Sequence, residues 1–171
     1  EQLGIKVVYV DMETPESFYH DVAVFGVLFG DPARAEEVTK FYQAAVENIL
    51  AGTANLSDEE RPAVLLLQYS DKGGTVSFNV PPAAWLQTWM VQAAGGNPVW
   101  AAEATGSGWA VVTFEQIAVW DPEYVFIVDY KLRGPQIIED LKLDAQWSLL
   151  PAVMNGNLFA FPGDVFSWDA V

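Results

Sequence analysis

Residues 94–130 read AGGNPVWAAEATGSGWAVVTFEQIAVWDPEYVFIVDY, and this stretch decides the fold class. A glycine pair leads through a variable loop to a Thr-Phe-Glu-Gln helix start, and an Asp-Pro turn follows. The turn opens into a run of apolar residues rich in Val and Ile, which is typical of a strand buried in a sheet. Because a helix start and a buried strand follow each other so closely, the stretch predicts an α/β protein.

The chain upstream predicts one strand and two helices. Residues 4–11 are rich in Val and too short for an independent helix, so they predict a strand. Residues 14–30 predict a helix, with Pro in its first turn, apolar residues three or four apart and Gly at its end. Residues 31–54 begin with Asp-Pro and carry an apolar stripe, which predicts a second helix about 30 Å long.

Strands and helices alternate through the rest of the chain. We predict strands over residues 62–68, 124–129 and 157–161, and helices near residues 82–93 and 135–143. The alternation predicts a three-layer α/β/α sandwich with a mostly parallel sheet, preceded by the long helix. The polar segment 52–61 is the best internal boundary, so the expected units are residues 1–30, 31–54 and 61–171.

Charge and cysteine content exclude several functions. The chain has 23 acidic and 8 basic residues, which argues against binding to nucleic acid or to an anionic membrane surface. It has no cysteine, which removes disulfides, thiolate metal sites and cysteine nucleophiles but does not decide the compartment. The sequence contains no apolar run approaching the roughly 18 residues of a membrane span.

Motifs for catalysis are also missing from the sequence. No Gly-X-Ser-X-Gly elbow is present, and the glycine-rich stretches lack the spacing of a phosphate loop or a dinucleotide fingerprint. The one histidine, His20, lies on an apolar helix pattern where a structural or surface role outweighs a ligand role. We expect no catalytic residue, metal or cofactor, and keep a carboxylate-pair hydrolase and a purely structural module as alternatives.

The order of the motifs resembles the C-terminal lobe of the substrate-binding proteins of ABC importers. The class in question binds iron-siderophores, haem, cobalamin or oxyanions, and one long helix joins its two lobes. The matching positions are Gly95, Gly96, Thr113, Glu115, Gln116, Asp121, Pro122 and the run from Val125 to Val128; Gly26, Gly30, Asp31, Ala35 and Glu36; Trp147, Ala152, Val153, Asn155 and Gly156; and Phe161, Pro162, Asp164, Trp168 and Asp169.

The ends of the chain depart from the family pattern. Family members carry a complete first lobe before this region and terminal helices after it. Under the resemblance, residues 1–30 are a remnant of the N-terminal lobe, residues 31–54 are the interlobe helix and residues 61–171 are the ligand-binding lobe. The apolar helix within residues 1–30 would then lack its cover, which predicts self-association of this chain.

The resemblance implies a ligand cleft beside the carboxyl ends of the parallel strands, where open α/β sheets generally bind ligands. Aromatic faces and a few polar groups suit such a cleft. The candidate ligand-binding residues are Tyr69, Asn79, Trp109, Tyr130, Lys131, Arg133, Asp164 and Phe166. Alternatives stay open: Trp109 covering the sheet edge, Phe166 packing on terminal helices, and Lys131 and Arg133 as ordinary solvated cations.

The implied function is capture of an iron-siderophore or related metal-containing ligand and its delivery to an ABC permease in the membrane. Molybdate or tungstate binding by the same fold is the alternative. The resemblance also implies an extracytoplasmic location, periplasmic or lipid-anchored at the cell surface, with the signal sequence outside this chain.

Overall fold

A computed structural model describes residues 4–161 of the 171-residue chain. The helices and strands in that range, in chain order, are α1 (Pro15–Phe29), α2 (Pro32–Thr53), β1 (Ala63–Lys72), β2 (Thr75–Val80), α3 (Leu86–Ala93), β3 (Asn97–Pro98), β4 (Ala110–Val112), α4 (Phe114–Trp120), β5 (Tyr124–Val128), α5 (Gly134–Leu143), α6 (Pro151–Met154) and β6 (Leu158–Ala160). Short 3-10 turns at Asp58–Glu60 and Trp147–Leu149 complete them. The predicted α/β class is confirmed.

Capping residues mark both ends of α1 and the start of α2. The Thr14 hydroxyl accepts a hydrogen bond from the Ser17 amide, and Gly30 ends α1 in the left-handed region at φ 76°. Asp31 caps α2 by accepting from the Arg34 amide. α2 has 22 residues, which makes it about 33 Å long. Within residues 4–161, no helix combines the length and the apolar character needed to cross a bilayer.

The predicted strand over residues 4–11 is wrong. Residues 4–10 adopt no regular secondary structure and are exposed, Tyr9 to 90%. A Val-rich run becomes a strand only where a neighbouring strand pairs with it, and this run has no partner among the strands of the sheet. The following residues are instead tied to α1, because the buried Asp21 carboxylate accepts hydrogen bonds from the Asp11 and Met12 amides.

The sheet has a parallel centre and an antiparallel arm. Its strand order is β4-β2-β1-β5-β6, with β3 pairing to β1. β1, β3, β5 and β6 are parallel, as predicted, whereas β2 is antiparallel to β1 and to β4. The sequence analysis missed this arm: β1 continues to Lys72 and turns at Gly73 and Gly74, both at positive φ.

Helices cover the two faces of the sheet unequally. On one face Leu65, Leu67, Val125 and Ile127 are fully buried, and α5 and α6 lie against β5. On the other face α3 contacts β1. A groove of about 400 Å³ remains on that second face, lined by apolar side chains that include Val64, Leu66, Met90, Val91, Phe126 and Phe161.

Candidate functional site

The parallel pairing of β1 and β5 brings two polar segments together at the carboxyl edge of the sheet. Gln68 of β1 is opposite Val128, the last residue of β5. Beyond this point β1 runs on through Tyr69 and Asp71 into the hairpin with β2. β5 instead gives way to residues 129–133, which lead into α5.

Arg133, at the start of α5, is the centre of this edge. Its Nη2 donates to Asp129 Oδ1 at 2.9 Å and its Nε to Asp129 Oδ2 at 3.2 Å, which is the fork geometry that suits a guanidinium. Its backbone amide donates to Asp129 Oδ2 as well, at 2.7 Å. The third nitrogen, Nη1, donates to Asp71 Oδ2 at 2.5 Å, so that one side chain joins β1 to the segment after β5.

Lys131 and Tyr69 complete the cluster. Lys131 Nζ donates to Asp71 Oδ1, so the Asp71 carboxylate bridges two cations. The Arg133 guanidinium lies 5.5 Å from the centre of the Tyr69 ring, within the range of a cation–π contact. Tyr69 in turn packs edge to face on Phe78 across the hairpin. We name Tyr69, Asp71, Asp129, Lys131 and Arg133 the edge cluster.

Hydrogen bonding keeps the acids of the edge cluster ionised. Hydrogen bonds from Lys131 and then Arg133 lower the pKa of Asp71 to about 2. Burial acts to raise the pKa of Asp129, but hydrogen bonds from the Arg133 side chain and backbone outweigh it and hold that pKa below its usual value. The same bonds, those to Asp129 first, raise the pKa of Arg133. At neutral pH the cluster therefore contains ionised carboxylates matched by cations.

The predicted site residues Tyr130 and Asn79 belong to the two segments that carry the edge cluster. Tyr130 is 48% exposed in the segment between Asp129 and Lys131. Asn79 is buried in β2, where it pairs with Gln68 and its Nδ2 lies 3.5 Å from the Gln68 carbonyl oxygen. Because side chains alternate along a strand, Asn79 faces away from the side on which its neighbour Phe78 meets Tyr69.

Trp109 lies at a different part of the sheet. It precedes β4, whose Ala110 pairs with Val80 at the end of β2, whereas Asp71 pairs with Val76 near the start. The spacing between Val76 and Val80 corresponds to about 14 Å along β2. Trp109 packs edge to face on Trp85, with ring centres 6.0 Å apart. The structure therefore does not bring Trp109 to Arg133.

Two predicted site residues, Asp164 and Phe166, lie outside residues 4–161, as do Pro162, Trp168 and Asp169 of the motif after β6. Conversely, the sequence analysis did not single out Asp71, which bridges Lys131 and Arg133. It ended the predicted strand at residue 68, but the structure continues that strand into a β1–β2 hairpin. The Ser-Asp-Lys-Gly-Gly sequence after the apolar strand is typical of a turn between two paired strands, so it could have predicted the hairpin.

The structure of residues 4–161 gives no support for a metal site. Within residues 4–161, no three His, Cys, Asp or Glu side chains are grouped so that they could hold a metal ion. The sole histidine is on α1, where His20 Nδ1 lies 3.0 Å from Asp21 Oδ1. It is far in the sequence from the edge cluster and contacts a carboxylate that already anchors residues 11 and 12.

Comparison with known protein families gives a match over nearly the whole chain. The family model described as periplasmic binding protein matches residues 1–165. The chain belongs to this family. None of the curated proteins matches it in sequence.

Solved structures of such binding proteins share the fold at low sequence identity. An ABC transporter substrate-binding protein from Listeria monocytogenes EGD-e is 17% identical with a TM-score of 0.78, over 97% of this chain and 64% of that one. Molybdate-bound MolA from Haemophilus influenzae is 16% identical with a TM-score of 0.78, over 95% and 52%. S. aureus IsdE complexed with heme is 18% identical with a TM-score of 0.74, over 94% and 60%.

The length of the chain differs from that of these relatives. The chain spans between 52% and 64% of the length of these three proteins, while nearly all of its own residues match. The likeness confirms the predicted fold of a lobe with a largely parallel sheet. Family membership also indicates an extracytoplasmic location, because the family is one of periplasmic binding proteins.

Proposed function

We propose that this chain is the interlobe helix and C-terminal lobe of a solute-binding protein that captures an iron complex of the siderophore type. In this proposal α2 is the interlobe helix, and residues 61–171 form the lobe that binds the ligand. A first lobe closes over the carboxyl edge of the sheet, and the closed form docks on a membrane permease. The protein acts outside the cytoplasm, in the periplasm or held at the cell surface by a lipid anchor.

One observation carries this proposal: the edge cluster joins an aromatic face to matched charges where open α/β sheets bind their ligands. Tyr69 offers a ring, and Arg133 and Lys131 offer donors that are 37% and 60% exposed. A large organic chelate needs such a mixture, because apolar contact supplies affinity and a few polar groups fix its orientation. Tyr130, Trp109, Asn79, Asp164 and Phe166 stay predicted contacts.

The oxyanion alternative has a specific argument of its own, because molybdate-bound MolA shares the fold. A small oxyanion, however, makes no apolar contact with the Tyr69 ring beside the Arg133 guanidinium, whereas a large organic chelate does. We therefore rank the iron chelate first and molybdate or tungstate second.

A carboxylate-pair hydrolase has less support. Such an enzyme needs one carboxyl group whose pKa is raised so that it acts as an acid. In the edge cluster the pKa of Asp71 and that of Asp129 are both lowered. We therefore keep the transport proposal.

Thermal unfolding of the complete gene product tests the proposal. Ferrichrome, ferric citrate, haem, cobalamin and molybdate are added in turn. A ligand at one hundred times its Kd stabilises the native state by about 2.7 kcal/mol, and the unfolding temperature rises accordingly. We expect a rise with a ferric siderophore. A rise with molybdate alone would transfer the assignment to the oxyanion class, and no rise with any of the five would overturn the proposal.

A second test uses the lobe by itself. A cleft between two lobes surrounds its ligand, so one lobe loses contact area while it pays a similar association entropy. If the gene encodes both lobes, the 171-residue chain should bind the same ferric siderophore far more weakly in calorimetry. Equal affinities would contradict the cleft between lobes.

A further inference from the structure

Lys131 and Arg133 bind the Asp71 carboxylate in the way that they would bind a carboxylate group of a ligand. Its Oδ1 accepts from Lys131 Nζ and its Oδ2 accepts from Arg133 Nη1 at 2.5 Å. Each oxygen thus faces a different cation, and both bonds are charge-assisted. The Tyr69 ring beneath the guanidinium adds an aromatic wall.

The two acids that meet Arg133 differ in their surroundings. The Asp129 side chain is 2% exposed, and it holds Nε and Nη2 in a fork. The Asp71 side chain is 27% exposed and holds only Nη1. Asp129 therefore fixes the orientation of the guanidinium, while Asp71, the more exposed of the two acids, holds only Nη1.

The hairpin that carries Asp71 does not depend on this bridge. Asp71 pairs with Val76 and Lys72 pairs with Thr75 in the ladder between β1 and β2. Gly73 and Gly74 supply the positive φ angles of the turn. Since backbone pairing holds the hairpin, the side chain of Asp71 is able to leave Arg133 without unfolding the strands.

We propose that Lys131 and Arg133 form a carboxylate-binding site. The Asp71 side chain occupies this site, and a carboxylate of the ligand displaces it. The ligand class is then a metal chelate with at least one free carboxylate. This inference rests on the proposed function in one respect, because it takes the carboxyl edge of the sheet to face the ligand. It goes beyond that function by naming the ligand group and its internal competitor.

The competition predicts that removing the Asp71 charge increases affinity. Asp71→Asn keeps the size of the side chain but weakens its hold on both cations, so a ligand carboxylate displaces an amide and not an anion. We expect the complete gene product with Asp71→Asn to bind citrate and ferric citrate at least about tenfold more tightly than the unchanged protein. Arg133→Lys should lower the affinity for citrate and ferric citrate. The single ammonium group of lysine cannot bind Asp129 through two nitrogens and a ligand carboxylate through a third.

Isothermal titration calorimetry with citrate, ferric citrate, uncharged ferrichrome and molybdate measures these changes. Glu139→Gln is the matched control, since Glu139 forms an ion pair with Lys142 on α5 and the substitution removes the same charge. Circular dichroism establishes that each variant is folded. The expected pattern is tighter binding of citrate and ferric citrate in Asp71→Asn alone, with the affinity for ferrichrome unchanged.

The outcomes separate this inference from the proposed function. Unchanged affinity for citrate and ferric citrate in folded Asp71→Asn overturns the inference, even where ferrichrome binding upholds the transport of iron. A larger gain for molybdate than for citrate overturns the carboxylate class. A gain for citrate with no binding of any iron chelate supports the carboxylate site and contradicts only the iron assignment.

Discussion

Gly26 of α1 and Ala35 of α2 approach so closely that a Cβ atom on Gly26 would lie 2.5 Å from the Cβ of Ala35. Pro32 Cα and the Asp31 carbonyl oxygen are also near, at 3.1 and 3.3 Å from that position. Real Cβ atoms do not come this close to one another, so only glycine fits. The contact locks α1 onto the first turn of α2, directly after the Gly30 cap.

Gly26→Ala should therefore destabilise the protein. The added methyl group overpacks the α1–α2 contact, and the expected loss is about 1 to 3 kcal/mol in the free energy of unfolding. Gly52→Ala in α2 is the matched control, because nothing lies within 4 Å of its Cβ position. That control should gain about 0.5 to 1 kcal/mol from helix propensity. Urea unfolding measures both, and equal effects would contradict the close approach.

Acid should weaken the edge cluster in a defined pH window. The pKa of Asp71 is lowered to about 2 in the folded protein, so its ion pairs stabilise the fold above the ordinary aspartate pKa near 3.8. That contribution is lost as the pH falls from about 4 through about 2. Asp71→Asn should make stability less dependent on pH in this window than Glu139→Gln does. Urea midpoints at pH 2 to 5 measure the effect, and parallel curves for the two variants would contradict it.

Short-range sequence patterns predicted the helices well, whereas the strands depended on which segments pair in the sheet. Thr14, Gly30 and Asp31 were predictable as helix ends, because capping is a contact between residues a few positions apart in the sequence. The run at residues 4–11 has the composition of a strand but lacks a pairing strand in the sheet, whereas β1 pairs with β2 and with β5. The pairing of β1 with β5 joins segments about 60 residues apart in the chain, and short-range sequence patterns do not reveal it.

The candidate site shows the same division. Lys131 and Arg133 were predictable because they follow a buried strand, and the carboxyl ends of such strands meet at one edge. The role of Asp71 was not, since it is 62 residues from Arg133 and becomes its partner only through the register of β1 and β5. The charge of the site therefore depends on the fold, not on any motif.

Trp109 and Trp85 should be energetically coupled. Their edge-to-face contact, with planes at 88°, is worth about 0.5 to 1.5 kcal/mol beyond the area that it buries. A double-mutant cycle of Trp85→Ala and Trp109→Ala in urea unfolding should reveal that coupling. Additive losses would contradict the contact. Ligand affinity per folded molecule in Trp109→Ala tests the separate prediction that this tryptophan lines the cleft.

Self-association should occur through the end of α1. Val27, Leu28 and Phe29 are 75%, 52% and 81% exposed, although each is a large apolar side chain. Residues 4–10 add further exposed side chains, among them Ile5 and Val7. Soluble monomers rarely expose a contiguous apolar patch of more than a few hundred Å², so a second copy of this chain is the cover that we expect.

Sedimentation velocity at micromolar concentration tests this expectation for the 171-residue chain. The double substitution Val27→Glu and Phe29→Glu places charges on the exposed end of α1 and should yield a monomer, because a dimer would then bury unpaired carboxylates. The matched control is Val119→Glu with Leu143→Glu, which adds the same charge at side chains that are 77% and 86% exposed on α4 and α5. A control that stays dimeric while the α1 variant dissociates would locate the contact on α1. An unchanged chain that sediments as a monomer would show instead that the end of α1 tolerates water, and that residues 1–30 belong to the same folding unit as α2.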